Sequence, residues 1–450
     1  MKTIAAISTP AGVGGIGIIR ISGDNSLDII KRVFMPKNNS EIKPYTIKFG
    51  YIVDENKNIM DQVLVSYFKA PKTYTGEDVC EINCHGGNIS TKEILELVLK
   101  NGATLAEPGE FTKRAFLNGK LDLTQAEAVI ELINSKSNKE TKASLKQLEG
   151  ILGEKIRDIK TDIIDLLVDI EANIDYPEYD IEEVRREKIL KVLNENIEKL
   201  ENLEKSFDSG KILRDGISTV IVGKPNVGKS SLLNRLVKED RAIVTEIAGT
   251  TRDTIEEYIT IRGIPLKLID TAGIRETKDI VESIGVDKSK KALEEADLVL
   301  VMIDSTIELS KEDIDILEAT KDKKHIILVN KIDIGNIIKK EMFKNRKTIE
   351  ISTKTTNGIE ELEDEIEKMF NISDIQIENE IIVTNVRHKN LIEKSNQGVK
   401  NAVKSIEMGL PVDMLSIDLQ EALQNLGEII GESISEEVVK GIFAKFCVGK

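Results

Sequence analysis

The spacing of apolar residues changes character along the chain, and the changes mark its organisation. Up to about residue 118, short β-branched or alternating runs dominate. Residues 3–7, 17–21, 46–53, 63–68 and 78–84 read as strands, and residues 91–100 as a helix. From about 119 to 212 the period becomes helical. Thr124-Gln125-Ala126-Glu127 has the form of a capping box opening a helix. Leu145, Leu148, Leu152, Ile156, Ile159, Ile163, Leu166 and Ile170 then recur at spacings of three and four, which predicts one long helix ended by Ile174-Asp175-Tyr176-Pro177. Residues 184–203 give a second amphipathic helix with acidic outer positions. Strands alternate with helices from about 213 to 376, where the last helix spans 359–370. Beyond 377 the helical period resumes at 386–406 and 415–430, punctuated by Gly409, Pro411 and Gly431.

The pattern predicts a multidomain chain. An α+β domain (1–118) precedes an α-helical domain in two parts (119–212 and 377–450). Between those parts lies an inserted α/β domain with a mostly parallel sheet (213–376). Insertion requires that its two ends lie close together.

The chemistry concentrates in the inserted part. Val220, Ile221 and Val222 read as a buried parallel strand. It runs into Gly223-Lys224-Pro225-Asn226-Val227-Gly228-Lys229-Ser230-Ser231, and Leu232, Leu233 and Leu236 follow at helical spacing. Strand, glycine loop and helix together form the context of a phosphate-binding loop. Backbone N–H groups turn inward around phosphate oxygens, and the helix N-terminus adds partial positive charge. Lys229 would reach the β/γ-phosphates and Ser230 would hold Mg²⁺.

Three more motifs follow in order. Asp270-Thr271-Ala272-Gly273 follows the strand at 266–269 and places a carboxylate on the Mg²⁺ side. Asn330-Lys331-Ile332-Asp333 ends the strand at 326–329, where Asp333 can accept two N–H donors from a guanine edge. A buried aspartate left without those donors is costly, which selects against ATP. Ser352-Thr353-Lys354 suits a base-closing loop. These motifs identify a GTP-binding domain. The loop 241–253 lies where a nucleotide-sensing switch belongs, with Thr251 as the second Mg²⁺ hydroxyl ligand. After Gly273 comes Ile274, which cannot orient an attacking water as a glutamine would. Glu276 and Glu282 are the acidic candidates for that task, and Arg252 and Arg275 the available arginines.

Composition narrows the picture. The 450 residues suffice for two to four domains. Lys+Arg 63 against Asp+Glu 78 gives a net charge of −15, which argues against a broad basic nucleic-acid surface but not a local one. Three cysteines, Cys80, Cys84 and Cys447, leave no disulfide framework and point to a reducing cytoplasm. The first ten residues lack a basic region followed by a long apolar core. No apolar run reaches membrane-spanning length, so a soluble chain is expected. Cys80 and Cys84 share a strand face near His85, but too few soft ligands lie elsewhere for a metal site. Buried structural cysteines are the expectation. Pro10-Ala11-Gly12-Val13-Gly14-Gly15 is a glycine-rich turn followed by a strand, which makes it a poor dinucleotide fingerprint.

Taken together, GKPNVGKSSLLN, TEIAGTTRD, DTAGIRET, PGEFTKRAFLNGKLDLTQAEA (108–128) and the terminal FCVGK (446–450) resemble the MnmE (TrmE) family of tRNA-modifying GTPases. The resemblance spans the whole chain in order and spacing, and the last two motifs are specific to that family rather than to GTPases generally. It implies an N-terminal domain that binds 5-formyltetrahydrofolate or a related one-carbon folate and forms a homodimer. It also implies a helical domain carrying the terminal Cys-x-Gly-Lys and an inserted GTP-hydrolysing domain. The partners it implies are the flavoprotein MnmG (GidA) and tRNA, whose wobble uridine gains an aminomethyl or carboxymethylaminomethyl group at C5.

By the resemblance, folate contacts fall on Arg20, Glu81, Lys120 and Lys450. Such residues suit a glutamate tail and a pterin edge. The K⁺ ligands fall on Asn226, Thr245, Ile247 and Thr250, and the catalytic acid on Glu282. GTP contacts run through Asn226 to Ser231, through Thr245-Glu246-Ile247-Ala248-Gly249-Thr250-Thr251, through Asp270 to Gly273, and through Asn330, Lys331, Asp333 and Ser352. Cys447 occupies the motif cysteine and is expected to serve modification rather than folding. Val448 is a mild departure within that motif. Two other readings compete: a GTP-gated ribosome or complex assembly factor, and a folate-dependent one-carbon transferase with an unrelated GTP switch. An assembly factor needs neither the PGEFTKRAF segment nor the terminal Cys447-Val448-Gly449-Lys450.

Overall fold

The computed structural model describes residues 1–38, 41–175, 182–239, 257–269, 293–343, 346–372, 381–411 and 414–450. The chain forms two compact units: Met1–Ile130 with Gln147–Asn196 and Lys394–Lys450, and Glu131–Lys146 with Ile197–Glu393.

In chain order the first sheet is built from β1 (Ile4–Ile7), β2 (Gly17–Ser22), β3 (Phe34–Pro36), β4 (Thr46–Val53), β5 (Ile59–Phe68), β6 (Val79–Cys84) and β7 (Thr104–Leu105), with helices α1 (Ser26–Val33), α2 (Asn88–Lys100) and α3 (Glu110–Leu117). Then come α4 (Leu123–Asn134), α5 (Asn138–Leu148), α6 (Ile151–Asp175) and α7 (Glu182–Asp215). The second sheet holds β8 (Ile217–Val222), β9 (Glu257–Ile261), β10 (Ile264–Leu268), β11 (Leu298–Asp304), β12 (His325–Asn330) and β13 (Thr348–Glu350), with α8 (Lys229–Glu239), α9 (Lys311–Ala319) and α10 (Ile359–Met369). Helices α11 (Val386–Glu407), α12 (Leu415–Ile430) and α13 (Glu436–Phe443) close the chain.

The first sheet has the order β3-β4-β5-β6-β2-β1-β7 and is antiparallel except where β7 pairs with β1. Alternate residues point to one face, and there Ile19, Ile21, Val65 and Ile82 bury against Ile29 and Ile30 of α1 and Ile94 and Val98 of α2. Cys80 and Cys84 lie in this core as free thiols, and burial pushes them up to about 12 and about 11 respectively. They are inert packing residues, as their apolar setting requires. Among the described residues no group of His, Cys, Asp and Glu could hold a metal ion.

Two local expectations need correction. The capping box of α4 belongs to Asp122 and Gln125, not to Thr124 and Glu127. Asp122 Oδ1 accepts from the Gln125 N–H at 3.0 Å, and Gln125 Oε1 accepts from the Asp122 N–H at 3.0 Å. Asp122 stands two residues earlier and is an equally good N-cap, so the helix starts there. The long apolar stripe is also two helices rather than one. Gly150 takes φ +91° between α5 and α6, a conformation disfavoured for other residues. Gln125 Nε2 donates to the exposed end of α5 at Leu148 O (2.8 Å), which satisfies a carbonyl that a continuous helix would have used. Leu152, Ile156, Ile159, Ile163, Leu166 and Ile170 are all buried on α6, whereas Leu145 on α5 is 43% exposed. The stripe faces α12, whose Leu415, Leu419, Ala422 and Leu426 repeat at matching intervals.

The chain's end is fastened by a separate aromatic cluster. Phe443 and Phe446, with ring centres 5.2 Å apart, pack with Leu123, Ala126 and Val129 of α4.

The second sheet has the order β13-β12-β11-β8-β10-β9, parallel except for the β9–β10 hairpin. Strand β11 is buried along its whole length, as a central parallel strand must be. The chain leaves β8 where strand order reverses between β10 and β11, the place where an open α/β sheet presents a crevice.

Candidate functional sites: a phosphate loop and a docked chain end

The loop between β8 and α8 is shaped by three left-handed positions. Gly223 has φ +151°, Asn226 +63° and Gly228 +108°. A Cβ on Gly223 would lie 2.5 Å from Met302 O, and one on Gly228 would lie 2.3 Å from Asn330 Nδ2. Both glycines are therefore demanded by space as well as by φ. Lys229, at the first turn of α8, donates to the carbonyls of Gly223 and, at 2.9 Å, Lys224. Burial holds its ammonium below the usual lysine range. The side chain thus lies folded over its own loop, where arriving phosphate oxygens would meet it. Ser230 is half-buried beside it and Ser231 is exposed.

On the base side, buried Asn330 ties two segments together. Its Nδ2 donates to Val227 O at 2.8 Å, and its Oδ1 accepts from the Thr353 N–H at 3.2 Å. Lys331, at φ +71°, pairs with Asp304 at 2.6 Å. Burial pushes the Asp304 carboxyl up, but the bonds from Lys331 and Thr306 leave it below the usual carboxylate range. Asp333 accepts from Ser352 Oγ at 2.7 Å, and Ser352 is fully buried. Asp333 itself is exposed, a correction to the expectation of a buried carboxylate. Desolvation can discriminate between bases only once a base covers it. The structure brings Val227, Gly228, Lys229, Asn330, Lys331, Asp333 and Ser352 into one connected arrangement.

Sequence reasoning missed Lys224, which joins the phosphate loop to α9. Its Nζ lies 2.6 Å from Asp313 Oδ2 and 3.0 Å from Ser310 Oγ, within the capping box of α9. The expected residues Thr245, Glu246, Ile247, Ala248, Gly249, Thr250, Thr251, Asp270, Thr271, Ala272, Gly273 and Glu282 lie outside the described residues, as do Arg252, Arg275 and Glu276.

A second constellation forms in the other unit. Arg20 on β2 stands directly opposite Glu81 on β6, and its Nε and Nη2 both lie 2.9 Å from Glu81 Oε1. The chain's end docks beside this pair. Gly449 O accepts from Ser8 Oγ at 3.1 Å and from Arg20 Nη1 at 3.5 Å. Cys447 O accepts from the Gly109 N–H at 3.3 Å, and Lys450 O from the Phe111 N–H at 3.2 Å. Gly449 has φ +95°, and a Cβ there would lie 2.3 Å from Ile7 O. Arg20, Glu81 and the Lys450 backbone are thus gathered together. Lys120 is exposed and donates to Pro71 O at 3.2 Å. Cys447 is exposed.

Within α3 and its neighbours, buried Arg114 pairs with Glu77 at 3.0 Å and Glu110 at 2.7 Å, and Ser22 Oγ donates to Glu77 at 2.8 Å. This network fixes α3, and its signal in the sequence was the charged GEFTKR run itself. Arg20, legible alone only as a surface strand residue, is half-buried, with its guanidinium 5.8 Å from the ring centres of both Tyr74 and Phe111.

No helix among the described residues is long and apolar enough to cross a membrane. Two family models cover most of the chain. Residues 3–120 match "GTP-binding protein TrmE N-terminus" and residues 123–447 match "MnmE helical domain". The tRNA modification GTPase MnmE of Acetivibrio thermocellus is 53% identical over 100% of this chain and 99% of its own length. That of Thermoanaerobacter pseudethanolicus is 51% identical over 100% and 99%, and that of Lactobacillus gasseri 47% identical over 100% and 98%. With the phosphate loop, the base-side motifs and the docked chain end all in place, the chain belongs to the MnmE family of tRNA modification GTPases.

Proposed function

We propose that this chain is the GTP-hydrolysing component of the system that modifies C5 of the tRNA wobble uridine, working in the cytoplasm as a homodimer with the flavoprotein MnmG. One observation carries the reading. The chain carries both a base-side site, where Ser352 holds Asp333, and a Cys-x-Gly-Lys segment docked beside Arg20 and Glu81. A GTP-gated assembly factor has no use for the second feature. Deleting the gene and measuring wobble nucleosides by mass spectrometry tests it: C5-modified uridines should disappear, and their undiminished presence would refute the reading.

Residues 1–118 take the folate-binding and dimerising role, residues 119–212 and 377–450 the helical one, and residues 213–376 the GTPase role. The donor set of the first suits a reduced folate, since Glu81 can accept from a pterin edge and the ammonium groups of Lys120 and Lys450 can meet carboxylates. Ser230 with Thr251 would hold Mg²⁺. Asn226, Thr245, Ile247 and Thr250 would hold K⁺, an ion suited to neutral oxygens, and Asn226 is exposed on the phosphate loop. A cation held there would supply positive charge to the phosphates, as an arginine finger does in other GTPases. Glu282 would orient the attacking water in place of the missing glutamine.

Turnover should accordingly be much faster in K⁺ than in Na⁺ buffer. Glu282→Ala should bind GTP normally and hydrolyse it at least about tenfold more slowly, a loss of about 1.4 kcal/mol. Stopped-flow phosphate release in the two buffers checks this, and equal rates with an unimpaired variant would remove the mechanism's basis. Cys447, exposed and close to the chain's end, supports no core. Cys447→Ser should leave melting temperature and GTP turnover nearly unchanged while modification falls; normal wobble nucleosides in that strain would exclude a role for the thiol.

A further inference from the structure

We infer that Tyr74 is a further binding residue of the Arg20–Glu81 site, supplying the aromatic surface against which the flat bicyclic end of a reduced folate packs. The inference rests on the proposed folate site and deepens it. Two rings lie 5.8 Å from the Arg20 guanidinium, those of Tyr74 and Phe111, and they differ in access. Phe111 is fully buried, whereas Tyr74 is 38% exposed. Tyr74 alone of the two can offer ring surface to a ligand.

The ring is held in place before any ligand arrives. Its hydroxyl shares a 2.8 Å hydrogen bond with Thr112 Oγ1, and Thr112 is buried. Thr112 follows Phe111, whose N–H holds the Lys450 carbonyl. The segment around Tyr74 is pinned as well. Thr73 Oγ1 donates to Glu77 O at 2.6 Å, Asp78 Oδ1 accepts from the Ala70 N–H at 2.8 Å, and Lys120 Nζ donates to Pro71 O. A preorganised ring loses little freedom on binding.

Energetics give the ring a task. Arg20 and Glu81 are already paired through Glu81 Oε1. Hydrogen bonds from a pterin edge to Glu81 exchange for bonds to Arg20 or to water, and the net gain from such an exchange is small. Stacking of a flat heterocycle on an aromatic ring adds attraction that the unliganded protein does not have.

The test is calorimetric titration of 5-formyltetrahydrofolate into the full-length chain. Tyr74→Ala should weaken binding by about tenfold or more, the size of a lost base–aromatic stack. Tyr74→Phe keeps the ring and should stay within about threefold, the scale of one net neutral hydrogen bond. The chain contains no tryptophan, so Tyr74→Trp introduces a single indole. Its emission should change saturably at the ligand concentrations that saturate the calorimetric signal. Arg20→Ala is run alongside to test the site itself. Weak binding by Arg20→Ala with parental binding by Tyr74→Ala would overturn the role of Tyr74 and leave the site standing. Parental binding by both would remove the site. Should Tyr74→Ala fold poorly, the Tyr74→Trp protein decides: unchanged emission at saturating folate overturns the proposal.

Discussion

Asp333→Asn is expected to convert a GTP-selective protein into one that prefers xanthosine triphosphate. The Asp333 carboxylate is exposed and oriented by Ser352 Oγ at 2.7 Å. Ser352 is itself fixed, because its Oγ also accepts from the Thr355 N–H at 3.1 Å. A guanine would give this carboxylate two N–H donors. Each charge-assisted bond contributes about 1.5–3 kcal/mol. An asparagine keeps one acceptor and sets an N–H group against the guanine amino group. The GTP dissociation constant should therefore rise on the order of 100-fold or more. Xanthine carries a carbonyl where guanine carries the amino group, and the asparagine N–H can donate to it. Competition titrations with a fluorescent nucleotide check the exchange. Unchanged preference for GTP in the variant would show that Asp333 does not read the base.

Gly449→Ala is the second change with a large expected effect. A left-handed backbone costs a residue with a Cβ about 1–2 kcal/mol. The added atom would also sit 2.3 Å from Ile7 O, a backbone atom that cannot rotate away. Against this, the tail is held by hydrogen bonds from Ser8, Gly109 and Phe111, each with a net value of about 1 kcal/mol, and by a longer one from Arg20. Relieving the clash requires Gly449 to move off Ile7, which breaks the bonds to its own carbonyl, so the last residues should leave their seat. Folate affinity should then fall at least about tenfold, since Lys450 is withdrawn with the tail. The melting temperature should change little, because Phe443 and Phe446 anchor the preceding turn independently. Parental folate affinity in Gly449→Ala would mean that the docked tail takes no part in binding.

What could be read from the sequence, and what could not, follows from the range of the interactions involved. The phosphate loop is legible because strand, glycines and helix are consecutive, although the atoms that crowd its two glycines, Met302 O and Asn330 Nδ2, come from β11 and β12. Residues 46–53 and 415–430 coincide with β4 and α12 because each carries its whole period. Helices α1, α3 and α13, of eight residues each, escaped because so few turns establish no period. The two-residue β7 exists only through its pairing with β1. The break at Gly150 escaped because the apolar spacing runs across it without interruption. Arg20 and Glu81 are 61 residues apart and are joined by strand register alone, and Gly449 reaches Arg20 across 429 residues. Only family resemblance could connect those positions in advance. Tyr74, which no motif marks, became visible when its ring was found beside the Arg20 guanidinium.

In the proposed function the nucleotide read by Asp333 drives the modification of the wobble uridine. A reconstituted reaction containing tRNA, the proposed flavoprotein partner and either the parent chain or Asp333→Asn tests this, with C5-modified uridine measured by mass spectrometry. GTP should support modification by the parent and xanthosine triphosphate by the variant, each nucleotide failing with the other protein. Modification by Asp333→Asn at the parental rate with GTP, or by either protein with no nucleotide, would refute the link between base reading and modification.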